Sequence, residues 1–151
     1  MREILFRGKR IDNGEWVEGF YNHIPCGRFL CDEHCIQTIK QDGRIGQLYD
    51  VYDSTVEQFT ELTDRNGVKV FDGDILKFTD LNAEYEWIGR VEFGNPNEEY
   101  NWGFQLVFIK GEKPNTDILL WFDMEETGAF SEVIGNIHDN PELLEVEDGN
   151  T

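Results

Sequence analysis

The stretch Leu62-Thr63-Asp64-Arg65-Asn66-Gly67-Val68-Lys69-Val70-Phe71-Asp72-Gly73-Asp74-Ile75-Leu76-Lys77-Phe78 decides the fold. Asn66-Gly67 supplies residues that tolerate positive φ in a tight turn, and Asp72-Gly73 repeats that chemistry one short strand later, so residues 68–71 are pinned at both ends. The segment predicts a tight β-turn-β unit with residues 74–78. It places no reactive group, so it speaks to fold rather than to chemistry.

Toward the N-terminus, Ile4-Leu5-Phe6 and Glu15-Trp16-Val17-Glu18-Gly19-Phe20-Tyr21 flank the turn signal Asp12-Asn13-Gly14 and predict an opening hairpin. Residues 28–31, 35–39 and 47–52 predict further short strands, separated by Asp32-Glu33-His34 and by Gln41-Asp42-Gly43. Ser54-Thr55-Val56-Glu57 has capping-box spacing and predicts one helical turn through Phe59. Toward the C-terminus, residues 87–93 alternate and end at Gly94-Asn95-Pro96-Asn97; their expected partner is 102–109, with Phe104, Leu106 and Phe108 on one face. No helical period persists for three turns, so the expectation is a mainly β chain, a small barrel or sandwich with only short helical turns. Residues 1–151 read as a single domain, with an N-terminal β region over 1–52, a barrel-like β region over 53–145 and a frayed tail at 146–151.

Composition agrees with a packed core. Of 151 residues, 39% are apolar and 13% aromatic, which argues against disorder despite a mean hydropathy of -0.53. A chain of this length buries about 68–70% of the surface that its unfolded form exposes. The longest apolar run, Ile118-Leu119-Leu120-Trp121-Phe122, is far shorter than the roughly 20 residues of a membrane-spanning helix. Met1-Arg2-Glu3-Ile4 has no apolar signal-peptide core, so the expectation is a cytoplasmic protein with no membrane partner.

Residues 1–44 hold seven basic and seven acidic residues, so the net charge of -18 arises entirely beyond them. A phosphate backbone is repelled by such a chain, which makes direct nucleic-acid binding unlikely. Two readings remain: a solvated acidic surface, or a carboxylate array that imitates nucleic acid and captures a basic host protein.

Several blocks occur together and in order. They are Met1-Arg2-Glu3-Ile4-Leu5-Phe6-Arg7 with Glu15-Trp16-Val17-Glu18-Gly19, then Val56-Glu57-Gln58-Phe59-Thr60, then residues 64–78, and finally Glu132-Val133-Ile134-Gly135-Asn136-Ile137-His138-Asp139-Asn140-Pro141-Glu142-Leu143-Leu144. In them the chain closely resembles the YopX-like family of phage and prophage proteins. Four co-linear blocks are far more specific than any single turn motif. The resemblance implies a mostly β protein with an SH3-type barrel in its C-terminal half. It also implies a homo-oligomer, with a hexamer among the assemblies expected, and a bacterial host cell. It transfers no catalytic residue. Between about Asn22 and Val51 no family motif matches.

That unmatched stretch holds His23, Cys26, Cys31, His34 and Cys35, five soft ligands within thirteen residues. His23-x-x-Cys26 with Cys31-x-x-His34, or Cys31-x-x-x-Cys35, is the pairing that a zinc site uses, although the gap between pairs is tight. The alternative is that Cys35 packs with Ile36 and Ile39 while both histidines lie in turns. Whether these five bind a metal stays open, and an odd cysteine count argues against a disulfide framework.

An enzyme would rest on carboxylates. Asp72, Asp74, Glu92, Glu98, Glu99, Asp123, Glu125 and Glu126 are available to hold Mg²⁺ or to move protons, but thirty-one acidic residues supply such candidates by chance. Asp72 and Asp74 flank Gly73, where an Asp side chain bonds nearby backbone amides. His138-Asp139 before Asn140-Pro141 reads as a turn or short cap. Trp16, Trp87, Trp102 and Trp121 could line a peptide groove or stack on bases, yet core and interface packing is the commoner use of such rings. The expectation is a non-enzymatic protein with no catalytic residue and no cofactor, an oligomeric interaction module with an unidentified protein partner. The alternatives are the acidic decoy and a metal-dependent hydrolase.

Overall fold

The glycine-bearing turns divide the chain into short β segments, and the computed structural model describes residues 4–24, 33–79, 86–94, 103–111 and 131–145. These residues are mainly β, and they fall into two compact units, Met1–Phe59 and Thr60–Thr151.

In the first unit β1 (Phe6–Lys9), β2 (Trp16–Ile24), β3 (Glu33–Ile39), β4 (Ile45–Asp50) and the start of β5 (Glu57–Thr63) lie side by side in the order β4-β3-β2-β1-β5. The opening hairpin forms as expected: Gly14 adopts φ 72°, and Phe6 stands opposite Gly19. Gly43 serves the β3–β4 turn at φ 84°. The capping-box expectation fails. A 3-10 turn covers only Asp53–Thr55 with no side-chain cap, and Glu57 lies in β5. Its carboxylate is engaged by Arg7 of β1, with Nη2 at 2.6 Å and Nε at 3.0 Å from Oε2. A largely buried ion pair and the β1–β5 ladder thus take the place of the reciprocal cap.

In the second unit β5 runs through the Asp64–Val68 turn into β6 (Lys69–Phe71), with Gly67 at φ 78°. Beside it stands a four-stranded antiparallel sheet built from β7 (Asp74–Thr79), β8 (Glu86–Gly94), β9 (Gly103–Gly111) and β10 (Ser131–Asn136), ordered β10-β7-β8-β9. The expected hairpin between residues 68–71 and 74–78 is therefore corrected: β6 neighbours β5, whereas β7 pairs with β8 and β10. Gly73 explains the change of sheet. Its φ of 88° turns the chain so that its N–H donates to Val91 O and its carbonyl accepts from Ile137 N. Asp74 locks the corner by accepting from Phe71 N at 2.8 Å.

The core of this unit is Val70, Leu76, Phe78, Trp87, Val91 and Leu106, with Phe104 and Val133 packed against it. Phe78 and Trp87 face each other across β7 and β8 with ring centroids 4.3 Å apart. A Cβ at Gly89 would stand 2.9 Å from Trp87 Cζ3, so the missing side chain makes room for the indole. The expected face Phe104, Leu106, Phe108 holds only for its first two members. The β8–β9 register slips between Ile88 and Gly89, so Ile109 takes the buried position and Phe108 is exposed.

Candidate functional site

Three of the five candidate ligands, His23, His34 and Cys35, lie among the described residues. His23 and His34 are not in turns: they are register partners on β2 and β3, with parallel rings 4.2 Å apart and tilted by 6°. Cys35 follows His34 in the strand and so points to the opposite face, where its thiol donates to Asp50 Oδ1 at 3.3 Å. Burial, then the hydrogen bond and charge of Asp50, raise its pKa to about 11. Cys26 and Cys31 lie outside the described residues. Among the described residues no group of three His, Cys, Asp or Glu side chains could hold a metal ion.

His34 instead joins a polar thread. Tyr21 Oη and His34 Nδ1 share a 2.5 Å hydrogen bond, and His34 Nε2 faces Asp53 Oδ2 at 4.0 Å. Burial, followed by the negative charges of Asp53 and Cys35, raises the Tyr21 pKa. In the tautomer protonated on Nε2, Nδ1 accepts from the phenol and the N–H turns toward the carboxylate.

The thread ends at a hollow of about 360 Å³ lined by Ile11, Glu33, His34, Asp50, Val51, Tyr52 and Asp53. Backbone pairing shapes it. Ile11 N donates to Asp50 O at 3.0 Å, Tyr52 N to Lys9 O at 2.9 Å and Val51 N to His34 O at 2.9 Å, so three distant segments meet there. A second hollow of about 300 Å³ shares Ile11 and Asp50 and adds Arg10, Asp12 and Leu48. There Arg10 Nη2 reaches Asp12 at 2.6 Å, a hydrogen bond that lowers the Asp12 pKa, and the Arg10 guanidinium lies 4.2 Å from the Tyr49 ring centre.

Among the described residues, two of the remaining carboxylate candidates are engaged separately. Asp74 is buried in its corner, and Glu92 pairs with Arg90 at 2.6 Å. Glu98, Glu99, Asp123, Glu125 and Glu126 lie outside the described residues, as do Trp102 and Trp121. His138 and Asp139 form the expected turn, their amides donating to Asn136 Oδ1. Trp87 is core, and Trp16 lies beneath the Arg7 guanidinium and the Lys9 ammonium, 4.5 and 5.4 Å from its ring.

One apolar surface was missed by sequence reading. Register sets Phe20 opposite Gln37 and Gln37 opposite Leu48, while Ile39 stands opposite Ile45 at the outer strand pair. Phe20, Ile39, Ile45 and Leu48 are all exposed, Ile45 by 64%. Only the strand register brings these four together on the adjacent strands β2, β3 and β4, which is why alternation alone did not reveal them.

The YopX protein family model matches residues 5–145. The chain belongs to the YopX family. This YopX-family chain is also similar in fold to protein EF1440 from Enterococcus faecalis, a crystal structure that it matches with a TM-score of 0.51 at 21% identity, over 96% of this chain and 100% of that one. None of the curated proteins matches it. No helix of the described residues is long and apolar enough to cross a membrane.

Proposed function

We propose that this YopX-family protein is a phage or prophage accessory protein of the bacterial cytoplasm, acting without catalysis as an oligomeric protein-interaction module. The observation that carries the reading is the set of exposed apolar side chains Phe20 on β2, Ile39 on β3, and Leu48 and Ile45 on β4, the outer strand of its sheet. Water-exposed apolar side chains cost about 25 cal/mol per Å² relative to burial, and an outer strand presents unpaired backbone groups. A second copy offering the same surface removes both costs at once.

Size-exclusion chromatography with light scattering tests this. The expected result is a multimer at micromolar concentration, reduced toward monomer by Phe20→Glu with Leu48→Glu while the circular dichroism spectrum is kept. A monomeric wild-type protein overturns the reading.

A further inference from the structure

The sequence holds two Asn-Gly dipeptides, Asn13-Gly14 and Asn66-Gly67, and both lie exposed in turns. The pairing is labile by its covalent chemistry, since a glycine nitrogen with no Cβ beside it can approach the preceding side-chain amide carbon. The two glycines are alike. Each N–H donates to a carbonyl, Gly14 to Arg10 O at 2.9 Å and Gly67 to Asp64 O at 3.0 Å, and nothing lies within 4 Å of where a Cβ would stand on either. The two asparagines differ. Asn13 Oδ1 accepts from Glu15 N at 2.9 Å and its Nδ2 donates to Glu15 Oε2 at 3.3 Å, so its amide is held at both ends. The Asn66 side chain makes no hydrogen bond among the described residues; its backbone N–H alone is engaged, donating to Asp64 Oδ1 at 2.8 Å.

We infer that Asn66 is a site of spontaneous covalent modification, at which the folded protein deamidates ahead of Asn13. The Gly67 nitrogen gives up its proton and attacks Asn66 Cγ; the new N–C bond forms, the Cγ–Nδ2 bond breaks, and ammonia leaves carrying that proton. Water then opens the cyclic imide at either of its carbonyls, leaving an aspartate or an isoaspartate at this position. Isoaspartate routes the backbone through the side-chain carbon and so lengthens the chain between Asn66 N and Val68 N, the amides that Asp64 Oδ1 holds at 2.8 and 2.9 Å. A single oxygen no longer reaches both. The turn between β5 and β6 loosens, and with it the bond from Val133 N to Asp64 Oδ2.

Incubating the full chain at mildly alkaline pH, with and without urea, and following the peptide that carries each asparagine by digestion and mass spectrometry tests this. In urea the same dipeptide is offered twice without the folded contacts, so the two sites should react within about twofold of each other. In the folded protein Asn66 should react about fivefold or more faster than Asn13, because each hydrogen bond that must first break lowers the reactive population by about that factor. Equal folded-state rates, a faster Asn13, or reaction at Asn66 in urea alone overturns the inference. The isoaspartate fraction, separated by ion exchange, should show a lower urea midpoint than fresh protein, whereas Asn66→Asp, which adds the charge without lengthening the backbone, should stay closer to wild type. An isoaspartate fraction that unfolds like fresh protein overturns the loosening of the turn.

Discussion

Asp64 reaches across the second unit to Val133, sixty-nine residues away, whose backbone N–H donates to its Oδ2 at 2.9 Å. The other oxygen, Oδ1, accepts from Asn66 N and Val68 N at 2.8 and 2.9 Å. One carboxylate thus closes the turn between β5 and β6 and ties it to β10. Asp64→Ala leaves three amides without their acceptor and should cost about 3 kcal/mol, seen as a lower urea midpoint with unchanged slope. Asp64→Asn keeps one acceptor oxygen and should cost less.

Arg7 and Glu57 hold β1 to β5, with side chains 12% and 5% exposed. Arg7→Ala removes the guanidinium paired with a buried carboxylate, for which about 3 kcal/mol of destabilisation is expected. Hydrogen exchange should locate the loss in the amides of β1. Exchange rates there equal to wild type would refute it.

Cys35 should be chemically silent in the native protein. With Cys26→Ser and Cys31→Ser in place, iodoacetamide at pH 8 should label it only after urea is added, because burial and Asp50 hold the thiol protonated up to about pH 11. Its folded pKa lies above the ordinary thiol value of 9.0, so the folded state binds the extra proton. The Cys35 contribution to stability is therefore complete below about pH 9 and is lost as the pH rises toward 11. The Cys35→Ala variant should lack that part of the alkaline decline.

Salt should favour self-association. Between about 0.05 and 0.5 M NaCl the Debye length shrinks severalfold, which screens repulsion between acidic copies. The multimer fraction measured by light scattering should rise with salt, and a fall would count against contact between acidic copies.

Turn chemistry made much of the fold legible. Asp12-Asn13-Gly14, Gln41-Asp42-Gly43 and Asn66-Gly67 each mark a reversal, and the alternation of residues 87–93 marks β8. Three features were not legible, each because a distant partner outweighed a local preference. Glu57 has capping-box spacing yet is claimed by Arg7; Asp72-Gly73 looks like a hairpin turn until Val91 and Ile137 bond to Gly73; Phe108 is displaced by a bulge at Ile109 of its own strand. The hollow beside His34 is harder still. Ile11, Glu33 and Asp53 have no sequence spacing in common and come to line it through the bonds from Ile11 to Asp50 and from Val51 to His34. Cysteine and histidine density drew attention to the right strands, but the alternation of β3 separates Cys35 from His34.

Trp16 is the one tryptophan within residues 1–59, and the cations above it come from β1. When β1 lets go, its indole meets water and its emission moves to longer wavelength. Subtracting the spectrum of a Trp16→Phe variant isolates that signal from the three tryptophans further along the chain. The first unit therefore carries its own optical reporter, and its melting can be followed without attaching a dye.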